Sequence, residues 1–169
     1  LHNVRFALAT CHRAENTDDP IRLGQILLAL EEIAKFMPVI LPLHPRTRKL
    51  IKEYGLSHGL STLKVIDPLS YTDMIAVELA SSIILTDSGG VQKEAFFCGV
   101  PCLTIRDETE WVETIDCNAN VLVGANQVAI MNEFHKFQAG QVQSEFCSSP
   151  YGDGDAAEKI VQMLVAHTE

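Results

Sequence analysis

Ile83-Ile84-Leu85-Thr86-Asp87-Ser88-Gly89-Gly90-Val91-Gln92-Lys93-Glu94 is the stretch whose reading decides the fold. A short β-rich apolar run breaks at Ser-Gly-Gly, continues as Val91 to Cys98, and stops at Gly99-Val100-Pro101. The pattern is buried strand, tight turn, helix, helix stop. Two glycines let backbone approach a ligand with no Cβ in the way. The unpaired N–H groups of the helix's first turn, at the positive end of its dipole, suit a phosphate. Glu94 lies one turn further in, roughly 5–6 Å along the axis, a reach that matches diphosphate to ribose. A carboxylate there can accept from both ribose hydroxyls. The stretch therefore reads as a nucleoside-diphosphate site, with a plain strand–helix turn as the alternative.

Working outward, strands and helices alternate. Val4 to Thr10 reads as a first strand, and Thr17-Asp18-Asp19-Pro20 starts a helix with an acidic cap and proline at its first position. Leu23, Ile26, Leu27, Leu30, Ile33, Ala34 and Met37 give that helix one apolar face before Pro38. Val39-Ile40-Leu41 is a second strand; a basic helix over Thr47 to Tyr54 follows, and Leu63 to Ile66 is a third strand. Asp73 to Ala80 is helical, Ile83 to Thr86 is the central strand, and Cys102 to Ile105 and Asn120 to Val123 are the last two. Gln127 to Phe137 is a helix, Gln138 to Pro150 a polar connection, and Asp153 or Asp155 caps a final helix. The expectation is an α/β, doubly wound, mainly parallel, Rossmann-like sheet covered on both faces, with residues 1–169 forming a single domain.

Composition narrows the partners. A net charge of −9 over 169 residues argues against nucleic acid. No apolar run approaches the roughly 20 residues of a membrane helix, and no leader pattern is present. The chain enters a strand within a few residues of Leu1, as a piece of a longer protein would. The five cysteines, Cys11, Cys98, Cys102, Cys117 and Cys147, form no C-x-x-C pair and fit reduced thiols of a cytosolic protein, not a metal site.

The turns carry the function. His12-Arg13, His44-Pro45-Arg46, Pro68-Leu69, Ser88-Gly89-Gly90 and Arg106-Asp107-Glu108 all follow expected parallel strands, whose carboxyl ends share one edge of the sheet. His12 suits a hydrogen bond to a leaving phosphate or a proton transfer near neutral pH, or else it orients a loop. Arg13 offers a planar fork to phosphate oxygens, or a partner for Glu15 or Asp18. His44 with Arg46, Arg48, Lys49 and Lys52 reads as a solvated helix face, and Trp111 as a packing residue. Glu94 has the plainer alternative of a pair with Lys93. No P-loop lysine, G-x-S-x-G elbow or histidine pair at metal spacing occurs.

Six segments then occur in a telling order: Thr10-Cys11-His12-Arg13-Ala14-Glu15-Asn16, His44-Pro45-Arg46-Thr47, Thr86 to Glu94, Gly99-Val100-Pro101, Arg106-Asp107-Glu108-Thr109-Glu110 and Tyr151-Gly152-Asp153-Gly154. Together they resemble the non-hydrolysing UDP-N-acetylglucosamine 2-epimerases. The resemblance covers nearly all of this chain but only the second of that family's two domains, one half of a GT-B-type fold. It implies interconversion of UDP-GlcNAc and UDP-ManNAc for surface polysaccharides, by elimination of UDP to 2-acetamidoglucal and re-addition. On the matching positions it implies His12 as the active-site histidine, Ser88, Gly89 and Gly90 on the diphosphate, Glu94 on the ribose, and Leu69 in the segment that reads uracil. No cofactor is implied.

The first domain, with the acidic residues used around C2, is absent, so the chain is expected to bind UDP without turning over a UDP-HexNAc, and to leave an apolar edge where that domain would sit. The resemblance further implies a cytoplasmic, homodimeric full-length isomerase. A histidine matching His44 belongs to an activator site in some bacterial members, although Arg46 and Thr47 depart from that form. Trp111-Val112 stands where many members have Arg-Pro, which points to a modified substrate such as a UDP-diacetamido-uronic acid. A retaining GT-B glycosyltransferase and a non-catalytic UDP-sugar sensor are the other readings.

Overall fold

The central strands were legible because they are buried on both sides. In the computed structural model, which describes residues 5–141, 146 and 150–166, β1 (Ala7–Thr10), β2 (Val39–Pro42) and β4 (Ile83–Thr86) are buried along their whole length. Side chains alternate across a strand, and here both sets are apolar. Ala7, Ala9, Val39, Leu41, Ile83, Leu85 and Leu103 face one core. Leu8, Ile40, Ile84 and Cys102 face the other. A strand with two dry faces belongs in a parallel sheet covered by helices on both sides.

With β3 (Lys64–Ile66), β5 (Cys102–Thr104) and β6 (Asn120–Leu122), the six strands run in the order β3-β2-β1-β4-β5-β6, every neighbouring pair parallel. This is the doubly wound order, and the winding reverses between β1 and β4. One face is covered by α2 (Pro20–Ala34), α3 (Pro45–Glu53) and α7 (Gln127–Gln138), through residues such as Leu23, Ile51 and Phe134. The other is covered by α4 (Tyr71–Ala80) and α5 (Gly89–Cys98), through Met74, Val77, Val91 and Ala95. The expected Rossmann-like architecture is the one found.

Helix starts follow local chemistry. Asp19 accepts from the Ile21 and Arg22 amides ahead of Pro20, as its sequence indicates. The helix ends at Ala34, a turn before Pro38. Elsewhere the boundaries move. α3 starts at Pro45, not Thr47, because the His44 side chain caps it. α4 starts at Tyr71, not Asp73, because Ser70 accepts from the Asp73 amide while donating to the Asp73 carboxylate. α5 starts at Gly89, so both glycines belong to the helix's first turn and not to a loop before it. Its other end is the expected stop, with Gly99 left-handed at φ 69°.

The pairing of β1 begins at Ala7; Val4, the expected first residue, lies outside the described residues. Three short elements escaped the periodicity: α1 (Ala14–Thr17), a 3₁₀ turn at Ser57–Leu60 and α6 (Val112–Asp116). None is long enough to repeat an apolar spacing.

α8 (Ala156–Ala166) is exposed throughout, with Ile160, Val161, Met163, Leu164 and Val165 between 57% and 66% accessible. Among the described residues no helix is long and apolar enough to cross a membrane.

Phe134 has no accessible surface and ties α7 into the larger core. Phe134→Ala should lower stability by about 3–5 kcal/mol. Urea unfolding of the parent and variant measures this, and a loss near zero would mean α7 is not an integral layer.

Candidate functional site

The site begins at one buried acid. Asp87, at the carboxyl end of β4, has no accessible surface. Its carboxylate accepts from the backbone N–H of His12 at 3.0 Å, of Arg13 at 3.0 Å, and from the Asn16 side-chain amide at 3.2 Å. A carboxylate satisfied by three donors in a dry place is a strong fastener. Asn16 extends it: its amide also donates to the Ile105 carbonyl, and its oxygen accepts from Arg22 Nε. Arg22 continues to Asp107 and Glu15 at 3.0 and 3.1 Å. One network thus fixes the turns after β1, β4 and β5 on the same edge of the sheet. Beneath it, the Thr10 and Thr86 hydroxyls bond at 2.6 Å across the β1–β4 pair.

A cleft of about 170 Å³ opens at this switch point, lined by Thr10, His12, Pro42, His44, Pro68, Leu69, Met74, Ser88 and Val91. Four strand ends contribute, β1 to β4, which is where ligands bind in open α/β sheets. Pockets enclosing a drug-sized ligand run to roughly 300–1,000 Å³, so this cleft takes one portion of such a ligand.

His12, Leu69, Ser88 and His44 all reach it. The His12 and His44 rings meet edge-on at 6.3 Å. Desolvation lowers the His12 pKa from its ordinary 6.5; Asp87 opposes that shift and His44 adds to it. His12 is therefore neutral at pH 7, with a proton to donate at one nitrogen and a lone pair at the other. His44 has a second task, its Nδ1 accepting from the Arg46 amide as the cap of α3. Arg46 turns to Thr17 and Asp18, while Lys49 and Lys52 remain an exposed basic face. The Cys11 thiol behind the cleft is pushed well up, first by burial and then by Asp87, which makes it an inert packing group.

The other wall is the first turn of α5. Ser88 caps it from the Val91 amide, and helix geometry leaves the Gly89 and Gly90 N–H groups without intrahelical partners. The two glycines serve different ends. A Cβ on Gly90 would meet only Ser88 Oγ at 3.7 Å, so backbone is open there. A Cβ on Gly89 would sit 3.1 Å from Trp111 Nε1, with Glu110 and Arg13 next nearest, so Gly89 is small because side chains cover it.

Arg13 pairs with Glu110 at 3.5 Å, not with Glu15 or Asp18, which are taken by Arg22 and Arg46. Glu110 also accepts from the buried Arg106 at 2.6 Å. Lys93 does not pair with Glu94 either. Its ammonium lies 4.3 Å from the Trp111 ring and 4.4 Å from the Tyr151 ring, a cation held between two aromatic faces. Trp111 is the packing residue its sequence suggested. Glu94 is half-buried on α5, one turn beyond Val91 and outside the cleft lining.

Asp87 and Asn16 are the structural residues that motif reading passed over. Their signal was an acid directly after an apolar strand and an amide one turn beyond His12.

A Rossmann-like domain with its cleft at the winding reversal is the class this geometry defines. Comparison with known proteins narrows it. The family model for UDP-N-acetylglucosamine 2-epimerase matches residues 1–165, and the chain belongs to that family. It is 51% identical over 160 residues to the UDP-2,3-diacetamido-2,3-dideoxy-D-glucuronate 2-epimerase of Pseudomonas aeruginosa, covering 94% of this chain and 44% of that protein. The UDP-GlcNAc 2-epimerase of Methanocaldococcus jannaschii, solved with UDP-GlcNAc and UDP, superposes with a TM-score of 0.80 at 38% identity, covering 96% of this chain and 45% of that one. An E. coli heptosyltransferase shares the fold alone, at 14% identity and a TM-score of 0.53 over 83% of this chain and 46% of that one. The chain spans about half the length of the relatives it matches, and its fold is one half of a GT-B-type pair of domains.

The His12 titration is a direct check on the cleft. Its NMR midpoint should fall below 6.5. Asp87→Asn, which removes a charge favouring the imidazolium, should lower it further. Because the unfolded chain then binds the extra proton first, stability should decline as pH falls from about 6.5 toward the lowered midpoint. A midpoint above 6.5 in the parent would contradict the burial argument.

Proposed function

We propose that this chain is the nucleotide-binding half of a sugar-nucleotide 2-epimerase, residues 1–169 forming the single domain that holds UDP of a UDP-HexNAc. The observation carrying the reading is the cleft itself: His12 lines it together with Ser88 and Val91 from the start of α5, at the winding reversal. In this reading the Gly89 and Gly90 amides, the α5 dipole and Arg13 receive the diphosphate, with Ser88 holding the turn. Glu94 accepts from the ribose hydroxyls, and Leu69 lies against uracil.

The chemistry asked of these groups is leaving-group stabilisation. The C2–H bond breaks as a base takes the proton, C1=C2 forms, and the C1–O electrons leave with UDP. Re-addition restores the bond with the proton delivered to the other face. Positive dipoles fixed where phosphate charge develops lower that barrier without reorganising. A neutral His12 can donate to the departing phosphate oxygen. The base at C2 belongs to the other half of the protein. The chain alone should therefore bind UDP and not turn over. The full-length protein is read as a cytoplasmic homodimer supplying ManNAc-type units for polysaccharide, without a cofactor. An activator contact at His44 is a further part of this reading, supported by its place beside His12.

A second substrate is favoured by two observations. The relative sharing 51% of its residues is a diacetamido-glucuronate epimerase, and Trp111 stands in this chain where arginine is common. A UDP-diacetamido-uronic acid is accordingly the alternative substrate.

Calorimetric titration with UDP tests the site. Glu94→Ala should weaken binding about 10–100-fold, as expected for loss of hydrogen bonds to a charged acceptor, and Ser88→Ala should weaken it by less, through the lost cap. Equal affinity in all three proteins would reject the assignment. Deuterium uptake at C2 of UDP-GlcNAc and of the diacetamido-uronate, with the two-domain protein, separates the substrates; exchange in neither would reject the epimerase reading.

A further inference from the structure

Behind Glu94 lies a second carboxyl that the site as described does not use. Glu78, near the end of α4, has no accessible surface. Around it α4 is an apolar element whose Met74 and Val77 pack on the core shared with α5. A carboxylate in such a place is costly unless it is protonated or paired. Both Glu78 oxygens are buried and have no hydrogen-bond partner among the described residues, so a proton on either is free to be donated. The titratable groups that face it are Glu94 and Cys98 from α5 and Cys102 from β5. Glu94 and Cys98 stand four residues apart, on one side of their helix. The side of α5 that carries the ribose acceptor is thus the side against which Glu78 is buried.

We propose that Glu78 is a positioning residue for Glu94: its carboxyl keeps its proton and donates a hydrogen bond through it to the Glu94 carboxylate, which fixes that group toward the ribose. The inference rests on the ribose role given to Glu94 above. Two carboxyls brought together in a dry place hold one proton between them, because both cannot ionise cheaply. Here burial first, and then the neighbouring charge of Glu94, raise the Glu78 pKa from 4.5 to about 7. The assignment of the proton follows from exposure: Glu78 is fully enclosed, while Glu94 is half-open and can be solvated as an anion.

The division of labour makes chemical sense. A lone glutamate on a helix samples several rotamers, and a two-hydroxyl grip needs one. A donor behind the carboxylate selects that rotamer and leaves its outer lone pairs for the ligand. When Glu78 ionises, the donor becomes a like charge, and the grip loosens. The sign is set by a raised pKa: the donor is present below about pH 7 and lost above it. The thiols do not enter this window. Burial raises Cys98 above 9.0 and pushes Cys102 up to about 12.

UDP affinity measured by calorimetry from about pH 6 to about pH 8.5 tests the proposal. The parent chain should lose about tenfold in affinity across that range beyond any change shown by Glu78→Gln, whose neutral amide donates at every pH. Glu78→Leu, with no donor, should be weak throughout. With 2′,3′-dideoxy-UDP the parent and Glu78→Gln profiles should coincide, since the hydroxyls are gone. A normal loss in Glu94→Ala together with parallel parent and Glu78→Gln profiles for UDP overturns this inference alone; no loss in Glu94→Ala overturns the ribose reading and this inference with it. A measurement on the unaltered chain stands independent of variant folding. The carboxyl carbon of one glutamate should titrate near 7 by NMR, and UDP should raise its midpoint, because a ligand that prefers the protonated form must tighten proton binding. An unmoved midpoint under saturating UDP overturns the proposal.

Discussion

Two strands that are neighbours in space but 76 residues apart in sequence, β1 and β4, end on one cleft, and the Asp87 carboxylate ties their ends together there. It directly follows β4 and receives the amides of His12 and Arg13, two and three residues past the end of β1, with the Asn16 side chain as the third donor. A buried charge of this kind is stable only while its donors stay in place; removing one partner leaves an uncompensated acid in a dry site. The loop carrying His12 therefore has little freedom to drift from the loop carrying Ser88. The two cleft walls are thus tied to each other by hydrogen bonds as well as by the packing of α4 and α5, whose Met74 and Val91 also line the cleft.

That constraint also explains why the fold was more legible than the site. Parallel strands such as Val39-Ile40-Leu41 and Ile83-Ile84-Leu85 announce themselves, because a segment dry on both sides has no room for polar residues. Asp19-Pro20 marks a helix start through chemistry confined to a few residues. The convergence of five polar turns on one edge followed from strand direction alone. What stayed hidden were partnerships across the chain. Arg13 had nearby acids in Glu15 and Asp18, yet its partner is Glu110, 97 residues away. Nothing local says that Gly89 is small to make room for Trp111. α1 and α6 were missed for another reason, since a single turn makes too few contacts to impress a period on the sequence.

The cleft and the family membership fit together at the level of size. A cavity built by the ends of β1 to β4 encloses part of a ligand and stands open along the edge of the sheet. The chain accounts for about half the length of its relatives. In the proposed reaction the groups present here deal with the departing diphosphate, and the chemistry at carbon is left to the remaining half. Such a split places the strong, permanent dipoles on the side that must accept charge.

The Lys93 ammonium lodged between Trp111 and Tyr151 has a mechanical corollary. Tyr151 belongs to the stretch of chain beyond α7, and Trp111 to the segment after β5, so two remote parts of the polypeptide are riveted to the helix whose first turn borders the cleft. A displacement of Tyr151 is passed to α5 through Lys93 without travelling through the sheet. Lys93 thereby couples Trp111 and Tyr151 to one another and to the first half of α5.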